Sequence, residues 1–376
     1  GKFYELFHMD ADIGVKELGL TYMKGKYAHA GFPETSFAIH ASALVEKGYK
    51  VARIEQTEKP SDVSVRIKET GSSEASGKVV RRDLCSIISP ATRIFDCFDL
   101  EVDSRSISNS NQTSIGFGLL MSVVELSSNS PTNTAIKLGV CILDSSIASF
   151  SFADFDDDRS LSKLRTMLAH YSLPVAELVI SKGAVSSQTF SRIKKCIGSS
   201  RVEIINSCYN FQNTVKLLLS QNYFSHKDSD ESFNSHLSNL PPVLHDLVKS
   251  GDVVEDSVLS LSALGSIIHL LKRCLVDEQI LSSGTFSTYF PDDDRRNNLR
   301  PSLQNKMIID DNALRNLDVV VNSEGYIGKY GTILSLVNHC MTSSGKRCMT
   351  NLVCHPLYHK KDIEERLDAI EGLLTL

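Results

Sequence analysis

The sequence predicts a multidomain protein, mixed α/β over its first two thirds and all-α at its end. Its 376 residues are enough for two or three domains. As far as about residue 245, runs of alternating apolar and polar residues, typical of strands, are interspersed with runs of helical period. From about Ser257 the helical period takes over. We predict domains at 1–97, 115–245 and 246–376, with a linker at 98–114.

The first domain is predicted to be α/β. A strand at 3–7 leads into residues 11–17, and residues 37–47 have helical periodicity that Gly48 ends as a C-cap. The other predicted elements are a strand at 50–55, a Gly/Ser-rich loop at 69–78 and a β-rich run at 79–88.

The second domain follows a segment rich in Ser, Asn and Asp, which is typical of a linker. Its predicted strands lie at 115–126, 135–143, 149–155 and 176–180, and its helix lies at about 159–171. Strands followed by strand–helix alternation predict a mixed sheet.

Two apolar stripes mark the helical end of the chain, and we expect both to face a core. One consists of Leu264, Ile267, Ile268, Leu271 and Leu275, and the other of Ile363, Leu367, Ile370 and Leu374. Asp362 and Glu365, shortly after Pro356, are predicted to cap the last helix.

The composition is that of an ordinary globular protein, with 41% hydrophobic and 23% charged residues. No apolar run approaches the roughly 18 residues of a membrane span, and no signal peptide is visible.

Nine scattered cysteines without a CxxC pair indicate reduced thiols in a cytosolic or nuclear protein. The cluster Cys340, Cys348, Cys354, His355 and His359 matches no zinc-site spacing. Net charge is −5, but residues 1–97 carry 14 Lys/Arg against 13 Asp/Glu, which permits contact with nucleic acid without demanding it.

The first strand combines an aromatic side chain and a carboxylate two positions apart. Strand alternation puts Phe3, Glu5 and Phe7 on one face, and Tyr4 and Leu6 on the other. A ring beside a carboxylate is suited to wedging into a base stack while gripping a base edge. The same triplet alone is also typical of a core Phe beside a solvated Glu.

Carboxylates also cluster in the second domain, at Asp144, Asp154 and residues 156–158. One interpretation is a nuclease that holds two metal ions at strand ends, as in an RNase-H-like sheet. The other, which we favour, is an acidic turn capping the helix that starts near Arg159. The triplet GKR at 345–347 lacks the glycine and the Ser/Thr of a phosphate-binding loop.

Short motifs follow one another in order along the whole chain. They are GKFYELFHMDA at 1–11, YMKG at 22–25, GFPE at 31–34, KGYKVARIEQTE at 47–58, GVCILD at 139–144, FDDDR at 155–159, LAHY at 168–171, LSALG at 261–265, GKR at 345–347 and RLDAI at 366–370. In this order they resemble the MutS family of DNA mismatch-repair proteins, closest to the eukaryotic MutSα subunit that contacts the mispair. The chain departs from the usual family pattern at three positions: it has Asp83 where the family usually has Glu, Ala91 where Gly is usual and Leu352 where Trp is usual.

The resemblance implies a mismatch-binding domain, an RNase-H-like connector and the start of an all-α lever/core domain. It implies that Phe3 stacks on the mispaired base and that Glu5 hydrogen-bonds it, while Lys2, Lys24 and Lys26 are candidate phosphate contacts. The expected partners are double-stranded DNA with mispairs, a second MutS-type subunit and MutL-type factors, in the nucleus and not at a membrane. The ATPase, with ATP and magnesium, is expected beyond Leu376, so this chain itself is expected to hold no cofactor, metal or catalytic site. A metal-dependent nuclease and a MutS-type structural clamp without mispair recognition remain as alternatives.

Overall fold

A computed structural model describes most of the chain. The described residues are 3–59, 63, 80–92, 118–126, 135–171, 173–198, 200–221, 223–224, 239–253, 258–289, 306–307, 309–322 and 330–375. Lys2, the predicted linker at 98–114 and the predicted loop at 69–78 lie outside them. The chain divides into two compact units, one formed by Gly1–Leu120, Asp144–Ala148 and Ile268–Gly284, the other by Met121–Leu143, Ser149–Ile267 and Thr285–Leu376.

The predicted strand at 3–7 is confirmed with its exact bounds. The predicted helix at 37–47 and the β-runs at 50–55 and 79–88 are confirmed with ends shifted by up to three residues, whereas helix Met9–Leu18 and strand His29–Pro33 were not predicted. The first unit thus begins with α/β elements. They are β1 Phe3–Phe7, α1 Met9–Leu18, β2 His29–Pro33, α2 Phe37–Glu46, β3 Val51–Gln56 and β4 Arg82–Ile88. The strands form two antiparallel pairs, β1 with β2 and β3 with β4. Gly48 lies just after α2 with φ of +86°, a conformation that suits glycine, so the predicted C-cap is confirmed.

The core of these elements is aromatic and aliphatic. Its buried members are Phe32, Phe37, Ala41, Val45 and Ile88. Tyr4 and Leu6 pack against it from β1. The inner face of β1 is therefore held by the core, and this leaves its other face free for a different use.

The second unit contains a six-stranded sheet whose strands run in the order β10-β7-β6-β5-β8-β9. The strands are β5 Leu119–Leu126, β6 Ile136–Asp144, β7 Ser149–Asp157, β8 Val175–Ser181, β9 Arg201–Ile205 and β10 Thr285–Thr288. Around them the chain forms α3 Ser162–Ala169, α4 Ser187–Ile197, α5 Phe211–Ser220, α6 Pro242–Val253 and the start of α7 Leu259–Cys274. The end of α7, from Ile268, and α8 Asp277–Ser282 belong to the first unit. The almost continuous burial of β5, β6 and β8 is typical of strands covered on both faces.

The sheet extends further along the chain than the sequence predicts. We expected it to end near residue 245, but β10 pairs in parallel with β7 at its edge. The strand is short and mostly polar, and its one aromatic residue, Phe286, stacks on Phe150 with ring centroids 5.0 Å apart. A four-residue strand with one aromatic side chain is too short to leave an alternating pattern in the sequence. The mixed α/β, multidomain fold class is confirmed, whereas the domain boundaries stay a prediction.

The two apolar stripes have opposite environments. Leu264, Ile267, Ile268 and Leu271 on α7 are fully buried, which confirms the first stripe apart from its last member. That member, Leu275, follows the helix with φ of +60° and is 53% exposed.

The last helices are α9 Asp311–Asn316, α10 Ile333–Val337, α11 Ser343–Cys354 and α12 Lys360–Leu374. The second stripe lies on α12 and the prediction that it faces a core is wrong, because none of this helix's described residues is buried. The pattern identifies a face suited to a partner, but does not determine whether the described part of the chain supplies one.

The predicted capping of α12 is also wrong. His359 occupies the N-cap and makes no side-chain cap hydrogen bond. Asp362 lies inside the first turn, where its charge still suits the helix dipole. Among the described residues, no helix is long and apolar enough to cross a bilayer.

Candidate nucleic-acid interface

The exposed face of β1 carries the side chains that the sequence analysis singled out. Phe3 and Phe7 are 50% and 49% exposed, and Glu5 between them is exposed as well. Tyr4 and Leu6 point the other way and pack on the core. The predicted alternation is confirmed, and it puts a ring and a carboxylate side by side on an open surface.

Strand β2 has a glycine, Gly31, beside Phe3 and Glu5, so no side chain from β2 crowds them there. Glu5 lies opposite Gly31 in the antiparallel register. A Cβ at Gly31 would come within 3.5 Å of both Phe3 Cδ1 and Glu5 Cγ, and within 2.8 Å of the Tyr4 carbonyl oxygen. Any larger residue would therefore push against the strand that carries Phe3 and Glu5.

The same face continues towards β2 with a second aromatic pair. Phe7 lies opposite His29, and their rings stack with centroids 5.9 Å apart. The surface around β1 thus presents two exposed rings, Phe3 and Phe7, and the partly buried ring of His29. Aromatic and polar groups on one face are suited to stacking on bases and to hydrogen bonding.

Beneath this face, a hydrogen-bond network fixes Tyr4. Its hydroxyl donates to Glu55 Oε1 at 2.6 Å and accepts from Arg53 Nε at 2.8 Å. The Arg53 guanidinium also lies over the rings of Tyr4 and Phe37, 5.6 and 4.7 Å from their centroids. Burial, together with the bond to Glu55, raises the pKa of Tyr4 to about 12. The network ties β1 to β3 at the residue between Phe3 and Glu5.

The sequence alone does not predict this network. Tyr4 and Glu55 are 51 residues apart, and local periodicity carries no information about such a pairing. The available signal was the alternation of β3, which puts Arg53 and Glu55 on one face of that strand.

Of the three candidate phosphate contacts, two are described. Lys24 and Lys26 are exposed on the segment between α1 and β2. A backbone hydrogen bond from Met23 N to His29 O, 2.8 Å long, joins this segment to β2. Their charges therefore lie on a connection next to the exposed face, whereas Lys2 lies outside the described residues.

The acidic cluster caps a helix, as we favoured. Asp157 accepts hydrogen bonds from the backbone N–H groups of Lys163 and Leu164, at 3.0 and 2.9 Å. Asp158 accepts from Ser162 N at 3.0 Å. Burial raises the pKa of Asp157 even though these N–H groups act against the shift. Both carboxylates thus satisfy N–H groups that the start of α3 leaves without helical partners.

Two of the other three acids have structural partners too. Asp154 accepts from Ser260 N at 2.8 Å and from the Ser260 hydroxyl, and burial raises its pKa. Asp144 accepts from Ser146 at the turn after β6. In the described part of the chain, no group of three or more His, Cys, Asp or Glu residues is arranged to hold a metal ion.

The glycine–lysine–arginine triplet lies within a helix. Gly345 and Lys346 belong to the first turn of α11, where the N-cap Thr342 hydroxyl accepts from Gly345 N at 3.1 Å. This is an ordinary helix start rather than a strand–loop–helix cradle for phosphates. The nearby Cys354 is fully buried and Cys348 is exposed, so these two thiols lie in different environments.

Comparison with known proteins assigns the chain to a family. The model of MutS domain I matches residues 1–96, and that of MutS domain III matches residues 312–376. The chain belongs to the MutS family. Over its whole length it is 37% identical to the DNA mismatch repair protein Msh6 of Gallus gallus and 37% identical to that of Homo sapiens. It is 33% identical to the probable Msh6 of Drosophila melanogaster, again over its whole length.

This MutS chain spans only part of those relatives. It covers 28% of the Gallus gallus protein, 27% of the human protein and 30% of the Drosophila melanogaster protein. The match to MutS domain I includes β1 to β4, and hence the exposed face with Phe3 and Glu5.

Proposed function

We propose that this chain recognises mispairs in double-stranded DNA, as part of a MutS-type protein of post-replicative mismatch repair. The observation that carries the proposal is the open face of β1, where half-exposed Phe3 stands beside exposed Glu5. Membership of the MutS family and the names of the Msh6 relatives support it.

Phe3 acts as the wedge. Inserting an apolar ring between base steps from the minor groove costs on the order of a few kcal/mol in lost stacking. A mispaired base resists extrusion less than a paired one, and a mispaired step bends more easily. The same side chain therefore enters mispaired DNA at a lower cost than correctly paired DNA, and discrimination follows from deformability.

Glu5 makes the accompanying polar contact. It lies two residues from Phe3 on the same strand face, within reach of the base on which the ring stacks. A carboxylate close to phosphates is unfavourable unless it accepts a hydrogen bond or takes up a proton. Glu5 therefore opposes binding wherever no base edge satisfies it, and this adds to the discrimination.

The remaining parts of the proposal concern the longer protein. Lys24 and Lys26 contact phosphates and position the duplex without reading its sequence. The longer protein pairs with a second MutS-type subunit in the nucleus, couples mispair binding to ATP binding and hydrolysis with magnesium, and engages MutL-type factors.

The test compares binding of mismatched and fully paired duplexes by the full-length protein with its partner subunit. Phe3→Ala is expected to remove most of the preference for the mismatch, whereas Phe7→Ala, equally exposed on the same face, keeps it. Glu5→Ala is expected to change the preference with a smaller loss of overall affinity. A Phe3→Ala protein that still prefers the mismatch, or a Glu5→Ala protein weakened equally on both duplexes, would refute the assigned roles.

The two alternatives have less support. Four of the five carboxylates that a nuclease would use serve as helix caps and turn contacts among the described residues. Divalent-metal-dependent cleavage lost in Asp144→Asn would restore that interpretation. A structural clamp without mispair recognition would have no use for the Phe3 and Glu5 pair.

A further inference from the structure

The larger unit contains a cavity of about 640 Å³. Its walls come from α3 and the residues that flank it, from α4, and from α9 with the turn after it. Sites for small molecules usually measure roughly 300–1,000 Å³, so the cavity is large enough for a compact organic ligand. The exposed face of β1 belongs to the other unit.

The cavity is strongly basic although the whole chain is acidic, with a net charge of −5. Among its described lining residues are five basic side chains and one carboxylate. These are Arg159, Arg165, Arg192, Lys195, Arg315 and Asp311. An excess of positive charge in a concave site attracts anions and concentrates them there.

One part of this charge is structural. Asp311 is buried and accepts hydrogen bonds from Arg165 Nε at 2.9 Å and from Arg315 Nε at 2.6 Å. A single carboxylate thus holds two guanidinium groups in place. Since two positive charges share one negative charge, this triad still leaves an uncompensated positive charge at the cavity.

The other three cations are the candidate contacts for a ligand. Arg192 and Lys195 lie three residues apart on α4, so they share one side of that helix. No salt bridge joins Arg159, Arg192 or Lys195 to another described residue. Arginine forms paired hydrogen bonds with phosphate oxygens, and lysine adds a mobile point charge.

The rest of the wall is apolar. Leu168, Leu173, Val175, Ile197 and Leu314 contribute to it. A free inorganic ion would leave this surface in contact with water, whereas a ligand with an organic body would cover it. Cations beside an apolar wall therefore match a molecule that is phosphorylated at one end and organic at the other.

We propose that this cavity binds a phosphorylated small molecule of about nucleotide size, with its phosphates on Arg159, Arg192 and Lys195 and its organic part on the apolar wall. The site is independent of DNA recognition, so either proposal can fail without the other.

Isothermal titration of the 376-residue chain with ADP and with pyrophosphate, at constant ionic strength, tests the proposal. We expect saturable binding of ADP, and weaker binding of pyrophosphate because it leaves the apolar wall uncovered. Arg192→Gln with Lys195→Gln is expected to raise the Kd for ADP at least about tenfold, since two charge-assisted contacts are lost. Lys194→Gln removes a neighbouring exposed charge that does not line the cavity, and is expected to change the Kd less than about twofold.

A second measurement reports on the position of the ligand. Cys196 lines the cavity, whereas Cys348 is exposed elsewhere. ADP is expected to slow alkylation of Cys196 and to leave that of Cys348 unchanged. The proposal is wrong if ADP does not bind, if pyrophosphate binds as tightly as ADP, if the double variant binds like the unsubstituted chain, or if Cys196 is not protected.

Discussion

At the scale of single residues, Tyr4 lies between Phe3 and Glu5, the two exposed residues of the candidate site. Its neighbours along the strand, Phe3 and Glu5, face outwards, while its own hydroxyl is fixed beneath them by Arg53 and Glu55. A wedge is useful only if its strand does not yield when the ring meets stacked bases. We therefore regard Tyr4 as a positioning residue for the exposed pair.

Replacing Tyr4 by Phe keeps the ring and removes only the hydroxyl. We expect the free energy of unfolding to fall by about 1 kcal/mol, because two hydrogen bonds to charged groups at a half-buried site are lost. The preference for mismatched DNA should also fall, although Phe3 and Glu5 are untouched. Tyr22→Phe is a matched control, since its hydroxyl bonds Asp12 at an exposed position, and should change stability by less than about 0.5 kcal/mol.

The difference in stability between the unsubstituted chain and Tyr4→Phe should depend on pH, because the pKa of Tyr4 is raised. Tyr4 titrates at about 12 in the folded chain against an ordinary value of 10.0, mainly because of burial. Folding therefore favours the protonated hydroxyl, whose contribution is complete below pH 10 and is lost as the pH rises towards 12. In urea unfolding, the advantage of the unsubstituted chain over Tyr4→Phe should shrink across that interval. A constant difference would contradict the raised pKa of Tyr4.

At the scale of elements, periodicity predicted whether a segment forms a helix or a strand, and which face is apolar. It predicted less well which other residues that segment contacts. The alternation of β1 predicted which side chains face outwards, and the spacing on α7 predicted its buried face. Strand β10 was not predicted because four residues are too few for a periodic pattern. The Tyr4 network was not predicted because the partners of Tyr4 are 49 and 51 residues away in sequence. The α12 stripe has the right period but lacks a covering neighbour among the described residues.

The different burial of the α7 and α12 stripes can be measured as a difference in the free energy of unfolding that is lost when a leucine in each stripe is replaced by alanine. Leu264→Ala on α7 should lower the free energy of unfolding by about 2–5 kcal/mol, because it empties a fully buried site. Leu367→Ala on α12, at a position 58% exposed, should change it by less than about 0.5 kcal/mol. Urea unfolding of both variants of the 376-residue chain provides the comparison. Equal losses would mean that the α12 face is covered after all.

At the scale of the whole molecule, the proposed function gives charge and shape separate roles in DNA binding. A chain with a net charge of −5 gains little general attraction to a duplex, and its first 97 residues are nearly balanced. In the proposed function, affinity would then depend on a few local cations, while selectivity would depend on how easily the DNA deforms around Phe3. The two contributions should respond differently to salt and to substitution.

Lys24 and Lys26 provide the test of this separation. With both changed to Gln, the full-length protein should lose affinity about equally for mismatched and fully paired duplexes, because phosphate contacts do not depend on the base. The slope of log K against log salt should become shallower by about two units, one for each phosphate contact removed. Lys16→Gln on α1, where the ammonium lies 3.6 Å from Glu17, is the control and should leave the slope unchanged. If the double variant loses its mismatch preference while the slope stays the same, these lysines contribute to recognition rather than to general attraction.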